Sequence, residues 1–149
     1  MTRRDWLLVF AAYEGAADGL DPVRFQKGLF LFSRLPDVPA RERYTFKPYD
    51  YGPMSSRIYD DLDALVDEGS LRREPVPGKQ WCRYQVTDAG LRSANQLLDQ
   101  ARREGRVEAA RQLHAIKQTV AGLGFKPLLE HVYAAHPDFA VNSVFSRQR

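Results

Sequence analysis

Along the first 33 residues the apolar positions recur with helical spacing. Trp6, Val9, Phe10 and Tyr13 stand at i, i+3, i+4 and i+7, and Leu7 and Leu8 widen the stripe. This predicts a helix over about residues 3–17 that is buried on most sides, with Gly19 ending it. Asp21 is a good N-cap and Pro22 suits the first helical position. Phe25, Leu29 and Phe32 then share a face, which predicts a second helix over about 21–33. The stretch RLPDVPARER has little apolar periodicity. After it, YTFKPY alternates Tyr44 and Phe46 against Thr45 and Lys47, the pattern of a short strand, and Pro48 makes it an edge or a strand end. Beyond Gly52 and Pro53, the positions of Ile58, Leu62, Leu65 and Val66 predict a third helix. Pro53 is expected to start it, Ser55 or Ser56 to cap it and Gly69 to end it.

Two strand patterns flank the turn PGK. In the second, QWCRYQVT, Cys82, Tyr84 and Val86 fall on one face and Trp81, Arg83 and Gln85 on the other, so a hairpin with one wet face is expected. Thr87 can cap a fourth helix whose stripe is Leu91, Ala94, Leu97, Leu98 and Ala101. The polar break RREGR leads to a fifth helix carrying Val107, Ala110, Leu113 and Val120. FKPLLEHVYAAHP makes a short sixth, closed by Pro137. No internal repeat, low-complexity tract or Gly/Ser linker interrupts the chain.

Composition narrows the class. With 149 residues, 44% of them hydrophobic, the chain can bury one core and is the size of a single domain. The net charge of +3, from 22 Lys/Arg against 19 Asp/Glu, is too balanced to announce nucleic acid, so the distribution of charge matters more than its total. One cysteine, Cys82, excludes an internal disulfide, and no Cys/His spacing suits structural zinc. A reducing cytoplasm is the expected compartment. The apolar run after Arg3 and Arg4 is too short to span a bilayer and is expected as a buried helix, with no membrane partner.

Helices followed by a two-stranded hairpin is the order of a winged-helix domain, and YQVTDAGLRSANQLL resembles the strand, threonine cap and helix that close many bacterial examples. FQKGLFLFSRL, FKPYDYGPMSSRIYDDLDALVDEGSL and LLEHVYAAHPDFAVNSVF together resemble the Panacea-domain proteins, the group containing SocA-like antitoxins, and related uncharacterised bacterial winged-helix proteins. The most specific piece is Pro-Tyr-x-Tyr-Gly-Pro-x-Ser, met by Pro48, Tyr49, Tyr51, Gly52, Pro53 and Ser55. The resemblance implies a winged-helix-like fold and, for some members, a role in neutralising a toxin or delivering it to a partner. It implies no catalytic residues, and no cofactor is expected. The expected fold is therefore mainly α (α+β): one domain over 1–149, with a winged-helix-like core over 1–88, a two-stranded wing, and a carboxy-terminal helical extension over 89–149 packed on it. The long stripes of the fourth and fifth helices either complete the core against the first helix or pair with a second subunit as a homodimer.

Charge decides how the third helix is read. From Ser55 to Gly69 there is one base, Arg57, against five acids: Asp60, Asp61, Asp63, Asp67 and Glu68. A helix in the major groove needs Arg, Lys, Asn or Gln at base edges, and phosphates repel this face. The acids suit a solvated face or a basic partner protein. Tyr49, Tyr51 and Tyr59 are amphipathic rings of the kind that anchor interfaces. The candidate partner-binding set is Tyr49, Tyr51, Ser55, Arg57, Tyr59, Asp60 and Asp63, for a protein partner such as a toxin or a defence-system component. The alternative is a DNA-binding regulator that contacts phosphates through its wing, with Arg72, Arg73, Lys79, Trp81 and Arg83 as candidates. His114, His131 and His136 lack metal-site spacing, Cys82 reads as a small buried hydrophobe, and no nucleophile elbow, phosphate loop or dinucleotide fingerprint is present, so neither an enzyme nor a metal site is expected.

Overall fold

The computed structural model describes residues 1–15, 18–50 and 52–140. The chain is mainly helical with one small antiparallel sheet, a winged-helix-like α+β arrangement. Its elements run α1 (Arg3–Ala12), α2 (Pro22–Ser33), a 3-10 turn (Ala40–Glu42), α3 (Ser56–Asp67), β1 (Leu71–Pro75), β2 (Cys82–Val86), α4 (Asp88–Arg103), α5 (Val107–Gly122) and α6 (Phe125–Ala135), then a second 3-10 turn.

Helix α1 is the hub. Thr2 and Asp5 close a capping box at its start, which satisfies two otherwise orphaned N–H groups. Trp6 through Phe10 are five consecutive buried residues, because α4, β2 and α2 close on it from different sides. Each large side chain buried there contributes about 2–3 kcal/mol of transfer free energy. The helix stops at Ala12, earlier than expected: Tyr13 turns extended (φ −61°, ψ 147°), and Ala16 and Ala17 lie outside the described residues. Lys117, buried on α5, donates to the carbonyls of Phe10, Ala11 and Tyr13 at 2.7, 3.1 and 2.8 Å. An ammonium thus caps the negative end of α1.

Asp21 caps α2 by accepting from the Arg24 N–H, and Pro22 opens the helix. Gly28 lies against the Phe10 ring so closely that a Cβ there would stand 2.2 Å from Phe10 Cζ. The expected strand at 44–49 does not form. Tyr44 is buried, but its neighbours follow an irregular path after the 3-10 turn, and the pairing in this region is an isolated bridge between Lys47 and Met54. The alternation came from a loop that turns alternate side chains inward without a partner strand.

The wing pairs Leu71 with Val86 and Pro75 with Cys82 in antiparallel register. Tyr84 also exchanges both backbone bonds with Leu20, at 3.0 and 2.8 Å, so the chain between α1 and α2 is pinned to β2. Thr87 caps α4 through the Gly90 N–H. Leu91 is exposed, contrary to its place in the expected stripe, because the inward position is taken by Gly90, where a Cβ would meet the Ser70 carbonyl oxygen at 2.0 Å. Val107 is likewise exposed, and α5 buries Ala109, Leu113, Lys117 and Val120 instead. Helix α4 packs on α1, while α5 and α6 pack on α2. Among the described residues no helix is long and apolar enough to cross a membrane.

Candidate interaction surface

The connection from Phe46 to Ser55 is fixed from beneath by α2. Gln26, buried, donates from Nε2 to the Ser55 carbonyl at 2.9 Å and accepts the Ser55 N–H on Oε1 at 2.8 Å. The next residue, Lys27, is also buried and donates to the Pro53 carbonyl at 3.0 Å. Burial lowers its amine to about 8. Gly52 sits directly over this lysine with φ +97°. A Cβ there would lie 3.0 Å from Lys27 Cε, so both the backbone conformation and the close approach require glycine. Two 2.9 Å backbone bonds between Lys47 and Met54 close the loop. These bonds hold Lys47 and residues 52–55 against α2, and Tyr49 beside them is 56% exposed. Tyr51 lies outside the described residues.

Ser55 stands at the N-cap position of α3, yet its side chain makes no capping bond, and the helix begins at Ser56 rather than at Pro53. Ser55 is buried, its backbone held by Gln26, so it supports the surface from within and does not face solvent. Ile58, Leu62 and Leu65 face the core. The opposite face exposes Arg57, Tyr59, Asp60, Asp63 and Asp67. Asp61 differs from these acids: it turns toward the body and accepts the Tyr44 hydroxyl at 2.6 Å. Burial first, and then that bond to the Asp61 carboxylate, push the Tyr44 hydroxyl far above the usual tyrosine range.

The wing meets this helix directly. Arg73 is bonded to the Asp63 carboxylate, joining a candidate nucleic-acid residue to a candidate partner residue. Arg72 donates to Glu74 at 2.6 Å and to Gln85 at 3.0 Å. Such exposed pairs add little stability, but a phosphate would have to displace a carboxylate from each arginine. Lys79 and Trp81 are exposed near the wing turn, and Arg83 is half-buried. Trp81, with Tyr59 and Phe125, rims a largely apolar groove of about 630 Å³ in which Cys82 and Tyr84 form part of the wall. Cys82 is therefore half-buried at a groove and not fully in the core.

Two buried charged groups besides Lys27, and the buried neutral amide of Gln26, were not foreseen from the sequence. Lys117 occupies an apolar-stripe position four residues after Leu113, which is the signal that exposes it. Glu42 is 1% exposed and accepts from Trp6 Nε1 at 3.1 Å and from Arg106 Nη2 at 2.9 Å. Burial pushes its carboxyl up, and the bonds from Arg106 and Trp6 outweigh this and hold it below the usual range. Gln26 completes the set. Among the histidines, His114 stacks on Tyr13 and His136 sits edge-on to Phe30 at the end of α6. No group of three or more His, Cys, Asp or Glu among the described residues could hold a metal ion. Comparison with protein-family models, curated proteins and solved structures finds no match to the chain.

Proposed function

We propose that this protein is a non-enzymatic interaction module, antitoxin-like or regulatory, that works in the bacterial cytoplasm and grips a protein partner through the Tyr49 turn and the solvent face of α3. The observation that carries this reading is the pairing of Arg73 with Asp63 beside exposed Asp60 and Asp67. It supports an acidic surface that continues to the wing, where a base is already occupied by a carboxylate. A basic partner gains complementary charge there, while a polyanion meets repulsion. Exposed Tyr49 and Tyr59 supply rigid rings of the type that dominate binding energy, and Tyr51 belongs to the same turn in the sequence.

The test is a pulldown with wild-type bait and with bait carrying Asp60→Lys and Asp67→Lys together. Both positions are exposed, so the thermal melts should coincide. A specific partner should be recovered by the wild type and lost by the variant. Equal recovery by both baits removes α3 from the interface. The alternative, a regulator contacting DNA phosphates through its wing, draws support from exposed Lys79 and Trp81. It predicts salt-sensitive anisotropy changes with labelled random duplex that Arg73→Ala and Arg83→Ala weaken; a flat titration at low salt rejects it.

A further inference from the structure

We propose that the concavity between the amino-terminal ends of α1 and α3 is a binding site for the phosphate group of a small phosphorylated molecule. It has a volume of about 400 Å³ and brings together Arg3 of α1, Lys47 of the bridging loop and Arg57 of α3. Thr45, Ser56 and Tyr49, each with a hydroxyl, line it as well, and among the described residues the lining contains no carboxylate. Three cations from three separate elements thus face one space. Among the described residues none of the three makes an ion pair, whereas Arg34, Arg72, Arg73 and Arg106 each hold a carboxylate.

The placement gathers positive charge at two helix starts. Arg3 and Arg57 stand in the first turns of their helices, at the positive ends of the dipoles, where acids are normally favoured. The missing Ser55 cap leaves N–H groups at the start of α3 to add to the same field. An oxyanion relieves all of these at once. Guanidinium forks, an ammonium and hydroxyls together match the several oxygens of a phosphate better than the two of a carboxylate. The small ligand follows from the surroundings. Beyond Arg57 the α3 surface carries Asp60, Asp63 and Asp67, which repel an extended polyanion, while Tyr49 and Met54 offer contact to the organic part of a compact one. The site shares Tyr49 and Arg57 with the proposed partner surface, but the test of that surface substitutes Asp60 and Asp67 and alters none of these cations, so the two readings fail separately.

Isothermal titration of the full chain at fixed ionic strength, with inorganic phosphate and with adenosine monophosphate as probes, tests the site. Saturable binding is expected, tighter for the nucleotide. Arg57→Gln and Lys47→Gln should each weaken it about ten- to a hundredfold, the loss of one charge-assisted bond, while Arg57→Lys should retain most of it. Without ligand the Gln variants should melt at or above the wild-type temperature, because they remove repulsion. No saturable heat with either probe at millimolar concentration overturns the proposal. So does binding unchanged in both Gln variants, or a lowered melt of the unliganded variants, which makes the cations structural. Binding of random duplex that the same variants abolish, with neither probe bound, overturns it in favour of a nucleic-acid contact.

Discussion

The two buried lysines make stability rise with alkaline pH, and the size of the rise follows from their burial. Lys27 and Lys117 are 3% and 1% exposed, and burial lowers each amine from 10.5 to about 8. Folded, both hold their proton less tightly than the unfolded chain does. The unfolded state therefore carries the extra protons between the two values, and stability increases with pH across that window. The full shift corresponds to about 3 kcal/mol per lysine, of which about 2 kcal/mol is regained between about pH 8 and pH 10. Two lysines give about 4 kcal/mol. Tyrosines reverse the trend above that range: burial raises Tyr13 to about 12 and Tyr44 further, so the unfolded tyrosines ionise first and stability falls. Urea denaturation at intervals from neutral pH upward should show a maximum near about pH 10. Lys117→Met should remove about half of the rising slope, whatever the balance at neutral pH between losing three carbonyl bonds and losing a desolvated charge. A wild-type curve that is flat or falls from pH 8 to 10 refutes the reasoning, as does an undiminished slope in the variant.

Two other substitutions probe the body that presents the surface. Gly28→Ala, mid-helix and so expected to gain about 1 kcal/mol from helix propensity, should instead cost about 2–3 kcal/mol in chemical denaturation, because its Cβ collides with the Phe10 ring. Glu42→Ala leaves the Trp6 indole N–H and Arg106 without their acceptor and should cost about 3 kcal/mol, read from the same unfolding curves. Because the folded Glu42 carboxyl is held low, its contribution is present above the ordinary glutamate value and is lost as pH falls through the folded one. The variant should consequently lose less stability on acidification than the wild type.

Local chemistry was legible where one short stretch decides the outcome. Asp21 with Pro22, the turn between β1 and β2, and Thr87 ahead of α4 formed as their residue types dictate. Errors arose where tertiary packing overrides a local pattern. Alternating Tyr44 and Phe46 look like a strand, but among the described residues no neighbouring strand pairs with them, and Phe46 packs edge-on to Phe30 from a loop. Leu91 fits a helical stripe, yet α4 approaches the Ser70 backbone so closely that Gly90 must face inward. In the candidate surface the acids of α3 were readable from spacing alone. That Asp63 is joined to Arg73, that Asp61 serves Tyr44, and that Ser55 is covered by Gln26 depend on contacts across 10, 17 and 29 residues, which periodicity does not encode. The cations of the concavity at Arg57 are separated in sequence for the same reason.

The most direct measurement for the proposed interface is hydrogen exchange on the protein alone and in complex with the partner recovered by wild-type bait. Added protection is expected over residues 46–67, the Tyr49 turn and α3, with the amides of α5 and α6 unchanged. Protection confined to the wing at 71–86 or to the carboxy-terminal helices contradicts the proposed interface.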